Sequence, residues 1–189
     1  MNLLRLLAPL VPAFGRGTDT PDNKQKVHDL QRACEDGFND PSAKTSCSHA
    51  VWVVLRKMKD KDEDYRQANA LIEHMSSNWK EVTLDEGWKL ANTGVAVVGG
   101  KKDAKNGHVI VIYPGDKIAS GGYMIQIENS RTKKMESVKM RSHGDYPRCM
   151  SRSMGDWPGG LSNGDKTVFD PWGKDKEFAK VKFWTPKTN

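Results

Sequence analysis

The sequence predicts an α+β domain, with helices first and an antiparallel sheet after them. Two observations carry this. Between Asn23 and Trp79 apolar residues recur at spacings of three and four, the period of a helix with one buried face. From Gly94 onward the period changes, and β-branched residues run together or alternate, as strands require. Helical segments followed by strand segments are the mark of an α+β arrangement. A chain of 189 residues is long enough for one domain with its own apolar core. Residues 23–189 are read as that single domain, and residues 1–22 as an N-terminal arm or weak signal-like segment. Leu3 to Val11 is apolar, but Pro9 and Pro12 interrupt the region and no clean small-residue cleavage site follows.

Taken in order, Val27, Leu30, Cys34 and Phe38 share one face of a first helix over Asn23–Phe38, which Asp40-Pro41 ends. A second helix is expected from about Ser46 to Lys59, burying Val51, Val54, Leu55 and Met58. The mixed charges from Lys59 to Asp64 read as a solvated turn, and Ala68, Leu71, Ile72, Met75 and Trp79 as a third helix. A turn and short helical segment follow toward Leu90. Gly94–Gly100 and His108–Tyr113 are strands of one hairpin, and Tyr123–Glu128 is a third strand. The stretch through Tyr146 reads as polar loop. After it come a Cys/Ser/Met segment at 149–154, a Gly/Pro-rich segment at 155–164, and late strands near Thr167–Phe169 and Lys180–Trp184.

The net charge of +6 admits an anionic partner. The basic residues are scattered, apart from Arg131, Lys133, Lys134, Lys139 and Arg141, and no aromatics are interleaved with them as base stacking requires, so nucleic acid is not expected. No run of roughly 20 apolar residues exists, so no membrane insertion is expected. Three cysteines cannot all pair: either Cys34 and Cys149 join in an oxidising compartment, or all three are thiols, and both cases leave Cys47 free. Without a CxxC pair or Cys/His spacing, neither a metal nor a cofactor is expected.

The candidate chemistry lies in Thr45-Ser46-Cys47-Ser48-His49-Ala50-Val51-Trp52 and Asn106-Gly107-His108-Val109-Ile110-Val111-Ile112. The first places a thiol in the opening turn of a helix, where unpaired N–H groups and the helix dipole favour a thiolate. The second places an imidazole at the edge of a sheet, and such a pair is how a cysteine hydrolase activates its nucleophile. Taken alone, a cysteine before an apolar helix is more often a buried small hydrophobe. His49 falls on another helix face, and His28, His74 and His143 lack a motif and are expected at the surface. Trp52, Trp79 and Trp184 follow the core periodicity, whereas Trp157 and Trp172 lie in Gly/Pro-rich loops and are candidate walls of a substrate groove.

The polar turn with Cys47-Ser48-x-x-Val51, the segment Gly94-Val95-Ala96-Val97-Val98, Gly107-His108-Val109-x-Val111-Ile112, and Tyr146-Pro147-Arg148-Cys149 with its Ser/Gly tail resemble the papain-like amidases of bacterial walls. These are the NlpC and CHAP groups, and the pattern is most similar to peptidoglycan amidase effectors delivered by type VI secretion. The resemblance spans roughly residues 28 to 184 in element order. It implies a papain-like amidase fold and hydrolysis of an amide in murein peptide stems or cross-links. Cys47 would attack the carbonyl, His108 would move the proton, and the Cys47 N–H with a side chain from Ser46 or Ser48 would hold the oxyanion. For the group behind the imidazole, the CHAP pattern implies Glu128 or Asn129. The type VI pattern implies a backbone carbonyl near Cys149 or the hydroxyl of Ser151, and Asp170 is a further candidate. A monomeric, secreted antibacterial protein acting in the periplasm of a target bacterium, with a cognate immunity protein, is the implied setting. Alternatives are a phage-type or self-lysis endolysin, for which wall-binding repeats are missing, and a non-catalytic binding or immunity module with Cys47 and His108 in its core.

Overall fold

The computed structural model describes residues 20–58, 64–152, 155 and 157–187. Helix α1 spans Pro21–Asn39, starting two residues ahead of the apolar pattern because Thr20 caps it, accepting from the Asn23 N–H, with Pro21 in the first turn. The signal-like part of the leading segment lies outside the described residues. Asp40 ends α1, and its carboxylate accepts from the Ser42 N–H at 2.8 Å to open a single 3₁₀ turn, Pro41–Ala43. Helix α2 is Cys47–Lys57 and α3 is Ala68–Asn78. Strand β1, Lys80–Val82, leads into α4, Leu84–Ala91, whose start is a capping box between Thr83 and Glu86.

The strands then follow as β2 Val98–Lys101, β3 His108–Ile112, β4 Ile118–Ala119, β5 Met124–Glu128, β6 Met135–Lys139, β7 Asp145–Tyr146, β8 Arg148–Ser151 and β9 Ser162–Thr167. Helix α5, Asp175–Phe178, and β10, Lys182–Thr185, complete the chain. Six strands form an antiparallel sheet in the order β1-β10-β2-β3-β8-β9, while β4 with β7 and β5 with β6 form two separate ribbons. The α+β class and the β2–β3 hairpin are as the sequence predicts.

Four details differ. Gly94–Val97 is not strand: Gly94, with φ of +82°, belongs to the turn that closes α4, and the ladder begins only at Val98. The strand at Tyr123–Glu128 exists as β5 but stays out of the main sheet. It is exposed along most of its length, whereas β8, whose Cys149, Met150 and Ser151 are fully buried, takes the place beside β3. The polar stretch after Glu128 holds β6, which no apolar signal marks because all five of its residues are exposed. Finally, the strand expected at Thr167–Phe169 ends at Thr167, where the Asp170 carboxylate accepts from both the N–H and the hydroxyl of Thr167 at 2.8 Å and turns the chain.

Helices cover both faces of the sheet. Ile72 of α3 lies over Gly100 and Val109, which face each other across β2 and β3, while Gly87 of α4 lies against Ile112. Val109 and Ile112 differ by an odd number of residues, so α3 and α4 sit on opposite sides. Between the layers Leu30, Val51, Val54, Met75, Ile110, Met150 and Trp184 are almost completely buried. Trp79 is also buried, but Trp52 is only half-buried, packed edge-on against His49 and Tyr65 rather than into the core. Among the described residues no helix is long and apolar enough to cross a membrane.

Candidate active site

Cys47 is the first residue of α2, and the hydroxyl of Ser46 caps that helix by accepting from the His49 N–H at 3.2 Å. The backbone N–H groups of Val109, Ser48 and Cys47 itself lower the thiol pKa, as expected at a helix start. Burial acts the other way and outweighs them, so the thiol sits above its ordinary value. The expectation of a resting thiolate therefore fails: three dipoles do not offset the loss of water around the sulfur. The same contacts place the sulfur beside the backbone of Val109, the residue after His108.

His108 opens β3, paired across from Lys101. Its Nε2 lies 3.0 Å from the hydroxyl of Ser151, and that hydroxyl donates to the Gly160 carbonyl at 2.9 Å. A serine has one proton to give. With it committed to Gly160, Ser151 accepts from His108, which assigns the proton to Nε2 and leaves Nδ1 as an acceptor with no hydrogen-bond donor on it among the described residues. Burial depresses the imidazole pKa to about 4, so the ring is neutral near pH 7. The edge of Trp172 packs on the ring, with centroids 5.6 Å apart.

Ser151 reaches this position through the sheet. Val111 pairs with Met150 on β8, and extending that antiparallel register by one residue sets Ser151 opposite Ile110, on the face His108 shares. A register shift between Cys149 and Met150 in the β8–β9 ladder lies just before it, the kind of irregularity that re-aims side chains near sites.

Cys47 and His108 line one cleft of about 920 Å³, walled by the start of α2, by Tyr65, by the first turns of α3, by the loop before β3, and by Trp157 and Pro171. Ser48 lies on it as well, its hydroxyl 3.4 Å from that of Tyr65 and 3.3 Å from that of Ser46. Trp157 is a wall, fixed by its indole N–H donating to the Asp170 carbonyl at 2.9 Å. Trp172 instead braces the imidazole.

The other candidates for the group behind His108 are elsewhere. Glu128 is on the β5–β6 ribbon, exposed and facing Lys133 at 3.5 Å. Asn129 caps the turn of that ribbon, its side chain accepting from the Arg131 and Thr132 N–H groups and donating to Glu136. Neither is brought to the imidazole, because β5 does not join the main sheet. Cys149 is fully buried, with its thiol directed to the Thr167 carbonyl at 3.2 Å. Asp170 is buried and accepts from Thr167 and from the Gly121 N–H at 2.8 Å, a loop-closing role. Cys34, Cys47 and Cys149 are all free thiols, and burial raises the pKa of Cys34 and Cys149.

Of the remaining histidines, His28 is exposed as expected. His74 is half-buried, and His143 is stacked on Phe169 with its Nδ1 3.4 Å from Asp175. His49 contacts the Ser42 hydroxyl at 2.9 Å. The sequence reading did not foresee Tyr65, Asn69 or Lys105 at the site, whereas Gly160 belongs to the Gly/Pro-rich loop of Trp157, itself a candidate wall of the groove. Only the Pro158-Gly159-Gly160 turn carried a signal, as a place where the backbone comes close to other groups. Neither models of protein families nor curated protein sequences give a match to this chain.

Proposed function

We propose that the protein is a cysteine hydrolase of papain-like type that cleaves an amide bond in murein peptides, and that it acts as a secreted antibacterial effector in the periplasm of a target cell. The observation that carries the hydrolase reading is the proton assignment at His108. Ser151 and Gly160 hold the ring with Nδ1 empty, in the cleft that Cys47 also lines. Both groups rest neutral, so the thiol proton moves to Nδ1 as the sulfur attacks the carbonyl, and the imidazolium then protonates the departing amine. Water hydrolyses the thioester. The N–H of Cys47 at the helix start then stabilises the oxyanion, a contribution of about 2.7–4 kcal/mol per donor in enzymes that use such donors. The choice of murein, the effector role and a cognate immunity protein rest on the resemblance of the Cys47 and His108 segments to wall amidases.

One observation favours a second reading. The burial that raises the Cys47 pKa also suits a non-catalytic module in which Cys47 and His108 are core residues. Digestion of purified sacculi separates the two. The hydrolase releases soluble muropeptides, and Cys47→Ala abolishes release while the circular dichroism spectrum is kept. Unchanged release by that variant overturns the assignment of the nucleophile, and no release by the wild type favours the module.

A further inference from the structure

We propose that the cleft contains a carboxylate-binding subsite at Lys105, so that the amide cleaved belongs to a substrate with a free carboxylate near the scissile bond. This rests on the hydrolase reading and adds the charge of the substrate to it.

The end of β2 and the loop that leads from it to β3 carry three lysines, and two of them are paired with carboxylates. Lys101 meets Glu177 at 2.5 Å and Asp103 at 3.3 Å, and Lys102 pairs with Glu73. Lys105 is the third, and among the described residues no carboxylate faces it within ion-pair distance. It lines the cleft with Cys47 and His108, and among the described residues the other charged side chain of that lining, Glu73, is the one that Lys102 occupies. The remaining polar lining is hydroxyl and amide. Among the described residues of the lining, Lys105 is thus a positive charge without an ion-pair partner, exposed at the edge of the cleft where it can meet an anionic group of a ligand.

The loop is held in place. The Asn69 amide donates to the Asp103 carbonyl at 2.9 Å and accepts from the Asp103 N–H at 3.3 Å, tying the loop to α3. Gly107 lies so close to this clamp that a Cβ there would stand 2.4 Å from the Asn69 side-chain oxygen. Lys105 thus projects from a segment fixed at both ends, two residues before the glycine that leads into His108. An ammonium in such a place selects anionic over neutral ligands and attracts them before contact.

The test uses Cys47 as its reporter and needs no identified substrate. Iodoacetate and iodoacetamide differ by one charge at nearly equal size, so the ratio of their alkylation rates at Cys47 reads the field in the cleft. In the full chain at low salt, Lys105→Met is expected to lower that ratio about three- to tenfold, Lys105→Glu to lower it further, and added salt to shrink the wild-type ratio toward that of the variants. A ratio unchanged in both variants overturns the subsite while leaving the hydrolase reading intact. A folded wild type whose Cys47 reacts with neither reagent overturns both. With murein stem peptides the free carboxylate form is expected to have the lower KM than its carboxamide, and Lys105→Met to erase the difference. Equal KM values in the wild type count against the subsite.

Discussion

The hydroxyl of Ser151 stands 3.0 Å from Nε2 of His108 and donates its own hydrogen bond to the carbonyl of Gly160. An imidazole in a hydrolase of this type needs one nitrogen held by a neighbour and the other free, and here a neutral serine backed by a carbonyl does the holding. In the proposed mechanism Ser151 is a positioning residue, since its contact is with the imidazole. Ser151→Ala leaves the tautomer unspecified, and because a positioned base contributes about 10²–10⁴ to rate, a fall in kcat of at least about tenfold with little change in KM is expected. The variant loses two hydrogen bonds, to His108 and to Gly160, at about 1 kcal/mol each, a cost that a domain of this size is expected to absorb while staying folded. Steady-state kinetics with a pH profile checks this. A kcat within twofold of wild type would mean that His108 is oriented by packing on Trp172 alone.

His108 also ties stability to pH. Its pKa is lowered from 6.5 to about 4 by burial in the folded protein, so between those values the unfolded chain binds a proton that the folded one refuses. Stability from this group is fully present above about pH 6.5 and is lost as pH falls toward 4, a span worth on the order of 3 kcal/mol. His108→Gln removes the titration, and its denaturation midpoints are expected to change less between pH 7 and pH 4 than those of the wild type. Parallel pH profiles for the two proteins would contradict the buried, neutral ring.

How much of this was legible before the structure differs from element to element. Cys47 and His108 were visible because each sits at a junction with a local signature: a polar turn breaking into an apolar helix, and a Gly-His step into a β-branched run. Ser151 was legible only as one of several candidates, since the choice between it and Glu128 depends on which strand pairs with β3. That choice is made by burial over the whole molecule: Cys149, Met150 and Ser151 fill the space beside Ile110–Ile112, whereas β5 has no second apolar face to bury. The thiolate expectation failed for the same kind of reason. A helix start is a local feature, but the burial of Cys47 against the folded core is not, and it is the larger effect on the thiol. The strand after Glu128 was invisible because an exposed ribbon needs no apolar alternation.

The three thiols are expected to separate sharply in reactivity. Cys34 and Cys149 are completely buried with raised pKa values, and the thiol of Cys149 is directed to a carbonyl, whereas Cys47 opens on the cleft. Native protein treated with iodoacetamide should therefore take up one label, mapped to Cys47 by mass spectrometry, and three after denaturation. Its rate should rise with pH past neutrality, since burial raises the Cys47 pKa and the thiolate is the reacting form. Labelling of Cys34 or Cys149 in the native state at a comparable rate would contradict the packing of α1 or β8.

Gly37 tests whether the position of Cys47 depends on how its helix packs. A Cβ on Gly37 of α1 would lie 2.7 Å from the Ala50 carbonyl oxygen and 2.9 Å from a methyl of Val54, both on α2. Replacing a helical glycine by alanine gains about 1 kcal/mol from backbone propensity alone. Overpacking a close helix contact costs about 1–3 kcal/mol, and here the obstructing atom is backbone inside a helix, which yields only if the whole of α2 shifts. The cost is expected to win, giving a net destabilisation of up to about 2 kcal/mol by urea denaturation. Because Cys47 is three residues from Ala50 on the same rigid helix, hydrolysis should also slow in the fraction that remains folded. A stabilised Gly37→Ala protein would show instead that α1 and α2 are further apart at this crossing.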